Sequence, residues 1–352
     1  MTSFYSLGLM SGSSLDGLDI CYSRIDEENE IYNYKIIAAE TIEYPLNILN
    51  QLKTCREMSE TSLTELDLSL GEFYGNACLD FISKFKIHKL DFIASHGHTV
   101  FHFPEKKYTL QIGNGQTIAN LSQVKTIYQL RQKDIDMGGS GAPIVPIGDL
   151  LFFPQYKYCL NLGGIMNISE KKENNIISYD IGVCNQIINH YSQILGFEFD
   201  RDGELGRNGE FNSDLFNLLN SVDYFQRPYP KSLDNGFSIQ LIHIIEGFDI
   251  SINDKLHTFY HHIAYQIKKV CTIEGKLLCT GGGSHNLFLI ELLMKKQNLD
   301  IVISSNDLIN YKEALIMSLI GVRFLENKFN VIASVTGASE NTICGNIKFP
   351  IS

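Results

Sequence analysis

Asp180 stands where a short apolar run, Ile176-Ile177-Ser178-Tyr179, gives way to a helical pattern that starts near Asn185. A carboxylate there can point into a cleft while a helix amino end draws anions beside it. Such a group can act as a general base on a water or a hydroxyl. The same residue could instead cap the following helix, and the sequence leaves both readings open.

Three glycine turns offer phosphate chemistry: Gly12-Ser13-Ser14, Gly163-Gly164 and Gly281-Gly282-Gly283. Without Cβ atoms, the backbone can approach an anion with its N–H groups pointing inward. Each turn alone is an ordinary one. Together, at successive strand ends, they suggest a nucleotide held in a cleft between two domains. Asp16 and Asp19 flank the first turn, where a carboxylate beside phosphates works through Mg²⁺ and one of the two is expected to be a plain turn residue. No G-x-x-x-x-G-K-S/T, kinase H-R-D with D-F-G, or G-x-G-x-x-G opening a βαβ unit occurs, so a nucleotide site here is of the hairpin type.

His96 and His98 are expected in a loop after the strand Asp91–Ser95, where substrate hydrogen bonding suits them better than metal. His257 and His261 share a helix face, but no H-E-x-x-H completes a zinc site, so a structural role is expected. Asp200-Arg201-Asp202-Gly203-Glu204 lacks the late Glu of a calcium loop and is rejected as one. Pro228-Tyr229-Pro230-Lys231-Ser232 reads as a rigid turn.

The elements that must carry these groups alternate between strand and helix, which implies an α/β fold with ligands at the carboxyl ends of strands. Tyr5–Met10 and Leu18–Tyr22 read as a hairpin around the first glycine turn, and 158–162 with 165–169 as a second one. The repeat suggests duplication of one α/β unit. A capping box at Ser62-Leu63-Thr64-Glu65 predicts the start of a long helix. The boundary is placed near the Gly-rich stretch 137–143, giving domains 1–135 and 136–352.

The chain has 352 residues, enough for two domains. A net charge of −11 argues against a dedicated nucleic-acid binder or a binder of anionic membranes. No apolar run is long enough to span a membrane, and residues 1–10 lack the basic start of a signal peptide. The eight cysteines form no C-x-x-C pair, so a reducing, cytoplasmic setting is expected.

Taken in order, the motifs resemble those of the anhydro-N-acetylmuramic acid kinases of bacterial cell-wall recycling. Gly8-Leu9-Met10-Ser11-Gly12-Ser13-Ser14-Leu15-Asp16-Gly17-Leu18-Asp19 is similar to the opening G-L-M-S-G-T-S-x-D-G-x-D. Ser95-His96-Gly97-His98-Thr99 resembles S-H-G-Q-T, with His98 in place of Gln. Gly138-Gly139-Ser140-Gly141-Ala142-Pro143 and Asn161-Leu162-Gly163-Gly164-Ile165 follow in order, then Thr280-Gly281-Gly282-Gly283-Ser284-His285-Asn286. By position, Asp180 corresponds to the family's catalytic aspartate in D-T-G-P-G-N, which here reads Asp180-Ile181-Gly182-Val183-Cys184-Asn185. Gln129 replaces the first Asp of D-F-R-x-x-D, while Arg131 and Asp134 remain. Lys231-Ser232-Leu233-Asp234 stands for K-S-T-G.

The resemblance implies two ribonuclease-H-like domains in the actin/hexokinase-like architecture, with an interdomain ATP cleft. It implies a reaction of anhydro-N-acetylmuramate, water and ATP that gives N-acetylmuramate 6-phosphate. It places ATP on Gly12, Ser13, Ser14, Leu15, Asp16, Gly17, Leu18, Asp19, Gly163, Gly164, Gly281, Gly282, Gly283 and Asn286. The sugar falls to His96, His98, Arg131, Asp134, Asn185 and Glu313, and Mg²⁺ to ATP with Asp16 and Asp19. A homodimer is also implied. A kinase for another sugar and a non-catalytic nucleotide or sugar sensor are the alternatives.

Overall fold

The computed structural model describes all residues except Ser13, Asn174, Pro230, Asp234, Asn235, Gln297, Asn298 and Ser352, and it leaves out the side chain of Lys296. The strands are β1 Thr2–Ser11, β2 Leu18–Glu28, β3 Ile31–Ile42, β4 Phe92–Phe103, β5 Tyr108–Ile112, β6 Thr126–Tyr128, β7 Tyr158–Leu162, β8 Ile165–Lys171, β9 Ile176–Val183, β10 Gly275–Thr280, β11 Leu299–Ile303 and β12 Asn346–Lys348. They form two sheets, one ordered β12-β6-β4-β1-β2-β3 with β5 on β4, the other β11-β10-β7-β8-β9.

Both sheets repeat one pattern. A three-strand antiparallel meander, β1-β2-β3 or β7-β8-β9, is followed by two strands parallel to its first, β4 and β6 or β10 and β11. That is the ribonuclease-H-like order, present twice, so the duplication expected from the glycine hairpins is visible in the topology. The chain divides into one unit of 1–153 with 311–352 and another of 154–310. Residues 136–153 and 311–352, expected in the second domain, therefore group with the first. The reason is that β12 pairs with β6 in the first sheet, and the second sheet begins only at β7.

In the first unit, Leu7, Leu9, Leu18, Ile20, Leu66, Leu70, Phe81 and Ile93 build the core. The long helix Glu60–Lys84 supplies part of it. Its cap is Ser59, which accepts the Ser62 N–H at 3.2 Å, so the helix starts before the expected capping box. Helix Asn306–Leu325 is buried on every side from Ala314 to Ile320, as an all-round apolar helix must be. Gly8 makes this possible, because a Cβ on it would collide with the Ala314 carbonyl. In the second unit, Leu160, Leu162, Ile168, Ile181, Ile187, Ile263 and Leu277 share one core.

Candidate active site

In the first unit, β1 and β2 pair up to Ser11 and Leu18, which leaves residues 12–17 as the turn. Leu15 and Gly17 take positive φ, 60° and 154°. Among the described residues, a Cβ on Gly12 would meet nothing closer than Ser14 Oγ at 3.6 Å, so the turn is open there. Ser13 lies outside the described residues. Asp16 is exposed. Asp19 accepts a 2.6 Å bond from Thr41 Oγ1, yet burial raises its pKa, and the neighbouring Asp16 adds to the rise.

His96 and His98 lie inside β4, not in a loop after it, because β4 continues to Phe103 with β5 paired along its second half. His96 Nε2 accepts a 2.8 Å bond from Arg131 Nε, so its Nδ1–H donates to the Gly97 carbonyl at 2.9 Å. Burial, helped by the Arg131 charge, lowers its pKa to about 3. The imidazole is thus neutral, and its ring nitrogens orient Arg131 and meet the backbone. Arg131 Nη1 also donates to the Gly141 carbonyl at 2.7 Å, and burial lowers the guanidinium to about 10.

Asp134 is fully enclosed. One oxygen takes the Gly141 N–H at 2.8 Å; the other takes Thr336 Oγ1 at 2.8 Å. Its carboxylate therefore holds the Gly-rich stretch and the 336–342 segment together. Glu313 reaches solvent, but the protein around it raises its pKa; Lys312 and Arg131 pull the other way, and Asp19 adds to the rise. Lys312 itself pairs with Asp149 at 2.6 Å, with both side chains under a tenth exposed.

In the second unit, Leu162 pairs with Met166, so Gly163, Gly164 and Ile165 make the connection between β7 and β8. The helix Asn185–Ile194 begins against it: the N–H groups of Cys184, Asn185 and Gln186 donate to the Gly163 and Gly164 carbonyls. Asp180 is not the cap of that helix. It sits within β9, opposite Asn167, and the Cys184 position makes no side-chain cap bond. Asp180 Oδ2 accepts the Leu233 N–H at 3.0 Å, its N–H donates to the Lys231 carbonyl, and Tyr224 Oη donates to its carbonyl at 2.7 Å. Oδ1 has no protein partner among the described residues. Burial raises the carboxyl pKa, and the Leu233 N–H only partly offsets the rise. The departures after it are absorbed by packing: Ile181, Val183 and Cys184 are all at most 1% exposed.

A cavity of about 410 Å³ is lined by Asn185, Ile188, Asn189, Phe199, Asp200, Arg201, Asp202, Gly282, Gly283, His285 and Asn286. Its size suits a small ligand. Gly281, at φ 80°, approaches Leu162 so closely that a Cβ would lie 2.9 Å from its backbone nitrogen, whereas Gly282 faces open space. Asn185, expected beside the sugar, lines this cavity with the glycines expected beside the nucleotide, and its Nδ2 donates to the Leu162 carbonyl at 3.0 Å. Asn286 caps the helix Leu287–Lys296 through the Leu289 N–H and donates to Tyr260 Oη at 2.7 Å.

Phe199, Arg201, Asp202 and His285 were not expected in a site. The 200–204 stretch signalled only a rejected calcium loop. Asp200 is in fact buried, accepting the Leu205 and Gly206 N–H groups and Tyr260 Oη, and so shapes the cavity wall. His257 Nδ1 contacts the Gly206 carbonyl, and its ring stacks on His261, in keeping with a structural role. No group of three or more His, Cys, Asp or Glu able to hold a metal exists among the described residues.

Two ribonuclease-H-like units, each with a glycine turn in its first hairpin, define an actin/hexokinase-like protein. The chain's whole length then gives the family. Residues 4–350 match the model of the anhydro-N-acetylmuramic acid kinases, and the chain belongs to that family. The anhydro-N-acetylmuramic acid kinase of Clostridioides difficile is 32% identical over 97% of this chain and 98% of its own length. That of Crocosphaera subtropica is 31% identical over 99% and 100%. A solved dehydratase component A from Acidaminococcus fermentans covers 89% of the chain at 12% identity, with a TM-score of 0.43.

Proposed function

We infer that the chain is an ATP-dependent kinase that converts 1,6-anhydro-N-acetylmuramic acid and water to N-acetylmuramic acid 6-phosphate in peptidoglycan recycling. The observation that carries the mechanism is Asp180, with one oxygen pinned by the Leu233 N–H and the other without a protein partner among the described residues. Oδ1 takes a proton from water as the water oxygen bonds to C1 of the sugar. The C1–O6 bond breaks, O6 bonds to the γ-phosphorus, and ADP leaves. A carboxylate also offsets the oxocarbenium-like charge that develops at C1.

Phosphoryl transfer itself depends on placement and on neutralising charge. The open turn at Gly12 and the Gly163-Gly164 turn offer backbone N–H groups to phosphate, and the cavity beside Gly282 and Gly283 takes adenosine. Asp16 and Asp19 fit Mg²⁺, which binds through one or two carboxylates plus substrate phosphates. Arg131, steered by His96, suits the anionic lactyl group. Glu313 and His98 complete the sugar contacts, while Asp134 acts through the loop it holds. No helix among the described residues is long and apolar enough to cross a membrane; we place the reaction in the cytoplasm, with ATP.

The test is incubation with ATP, Mg²⁺ and the anhydro sugar, read by mass spectrometry. A sugar phosphate heavier than the substrate by one water and one phosphoryl group is expected. Folded protein that forms none contradicts the assignment. The alternative of another sugar loses its main support, since the altered residues 181, 183 and 184 face the core.

A further inference from the structure

β1 ends on Ser11, whose partner on the parallel strand β4 is His98. Ser11 Oγ lies 2.9 Å from His98 Nδ1, and Tyr44 Oη donates to the same Oγ at 2.6 Å. Tyr74 Oη stands 3.5 Å behind Tyr44 Oη. All four side chains are buried. A serine hydroxyl has one proton. With Tyr44 donating to Ser11 Oγ, the serine proton is free to face Nδ1, 2.9 Å away. Nδ1 is then the acceptor and the ring proton lies on Nε2, since the partner of one ring nitrogen fixes the state of the other.

Nε2 has no protein partner among the described residues. Among the described residues, the polar atoms of this unit that are sealed without a hydrogen bond include the hydroxyls of Ser6, Ser23, Ser95 and Ser318, but not Nε2, and His98 is 5% exposed. Burial, with Arg56 nearby, lowers His98 to about 4, so the ring is neutral near pH 7. His96, two residues away, has no such freedom, because both its nitrogens are engaged.

We propose that Tyr44 and Ser11 are positioning residues that hold His98 as its Nε2–H tautomer, and that this N–H donates to an uncharged acceptor oxygen of the sugar, making His98 a determinant of acceptor specificity. The sugar contact rests on the function proposed above; the tautomer does not. Glutamine offers the same pairing of an acceptor toward Ser11 and a donor toward the ligand, whereas leucine offers neither.

Two measurements on the full chain test this. In the first, imidazole nitrogen NMR, with His98 assigned through His98→Gln, should show Nδ1 unprotonated and Nε2 protonated. Ser11→Ala should turn this into a tautomer mixture. A proton on Nδ1 in the unaltered chain overturns the relay. In the second, Tyr44→Phe should raise the sugar KM about tenfold, the scale of one net hydrogen bond, with the ATP KM unmoved. His98→Leu should do at least as much, and His98→Gln should recover most of that loss. An equal rise in both KM values, or no recovery by Gln over Leu, overturns the sugar contact. If the tautomer is as proposed and no sugar is phosphorylated, the function assignment fails while the relay stands.

Discussion

In the proposed mechanism Asp180 is the residue on which the chemistry turns, and its surroundings make a definite pH claim. The base must be ionised to accept a proton. Burial raises its pKa, so kcat/KM should fall as pH drops through a value above that of an ordinary aspartate. A pH–rate profile checks this, and an acid limb at or below the ordinary value contradicts it. Asp180→Asn should lower kcat by about 10²–10⁴-fold, the usual contribution of a general base, while ATP affinity measured by calorimetry stays within about twofold. The sequence alone left Asp180 between base and helix cap. The register of β9, fixed by pairing with β8, excludes the cap. Asp134 and Asn185 were legible as members of the motif set, but not as residues whose polar atoms are largely engaged within the protein. Such engagement depends on partners far along the chain, Thr336 for Asp134 and Leu162 for Asn185.

The elements that place these residues were read more fully than their ends. Both glycine hairpins were legible because a turn between two β-rich runs is a local signal. The extension of β4 past His98 was not, because it depends on pairing with β5. The return of residues 311–352 to the first unit was equally hidden, since no short-range pattern announces that helix Asn306–Leu325 must lie on β1. Gly8 is the contact that makes it lie there. Gly8→Ala should therefore destabilise the fold by about 1–3 kcal/mol or more, the cost of overpacking a rigid core, and should raise the sugar KM through displacement of Glu313. Urea unfolding with steady-state kinetics checks both; unchanged stability would mean that helix and strand can separate freely. Gly281→Ala should weaken ATP, because its positive φ and its approach to Leu162 leave a side chain no room. A fluorescent ATP-analogue titration reads that effect.

Across the whole molecule, three buried neutral histidines give a pH dependence of stability. His96 and His262 are lowered by burial to about 3, and His98 to about 4, from an ordinary 6.5. Below 6.5 the unfolded chain binds protons that the folded chain refuses. Their contribution is complete above about 6.5 and is lost progressively as pH falls toward the folded values. The melting temperature should thus decline between pH 7 and pH 4.5, and His262→Gln should flatten part of the decline. A melting temperature that rises over this range would show that these rings titrate normally. The duplicated unit is the feature of the whole chain that the sequence showed best, and the order of strands in the two sheets repeats it. The central claim remains that water primed by Asp180 opens the anhydro ring while its O6 receives the phosphoryl group. Turnover in ¹⁸O-labelled water tests it most directly. The account predicts one heavy oxygen on C1 of the sugar 6-phosphate and none in its phosphate; label in free phosphate, with no sugar phosphate formed, would contradict it.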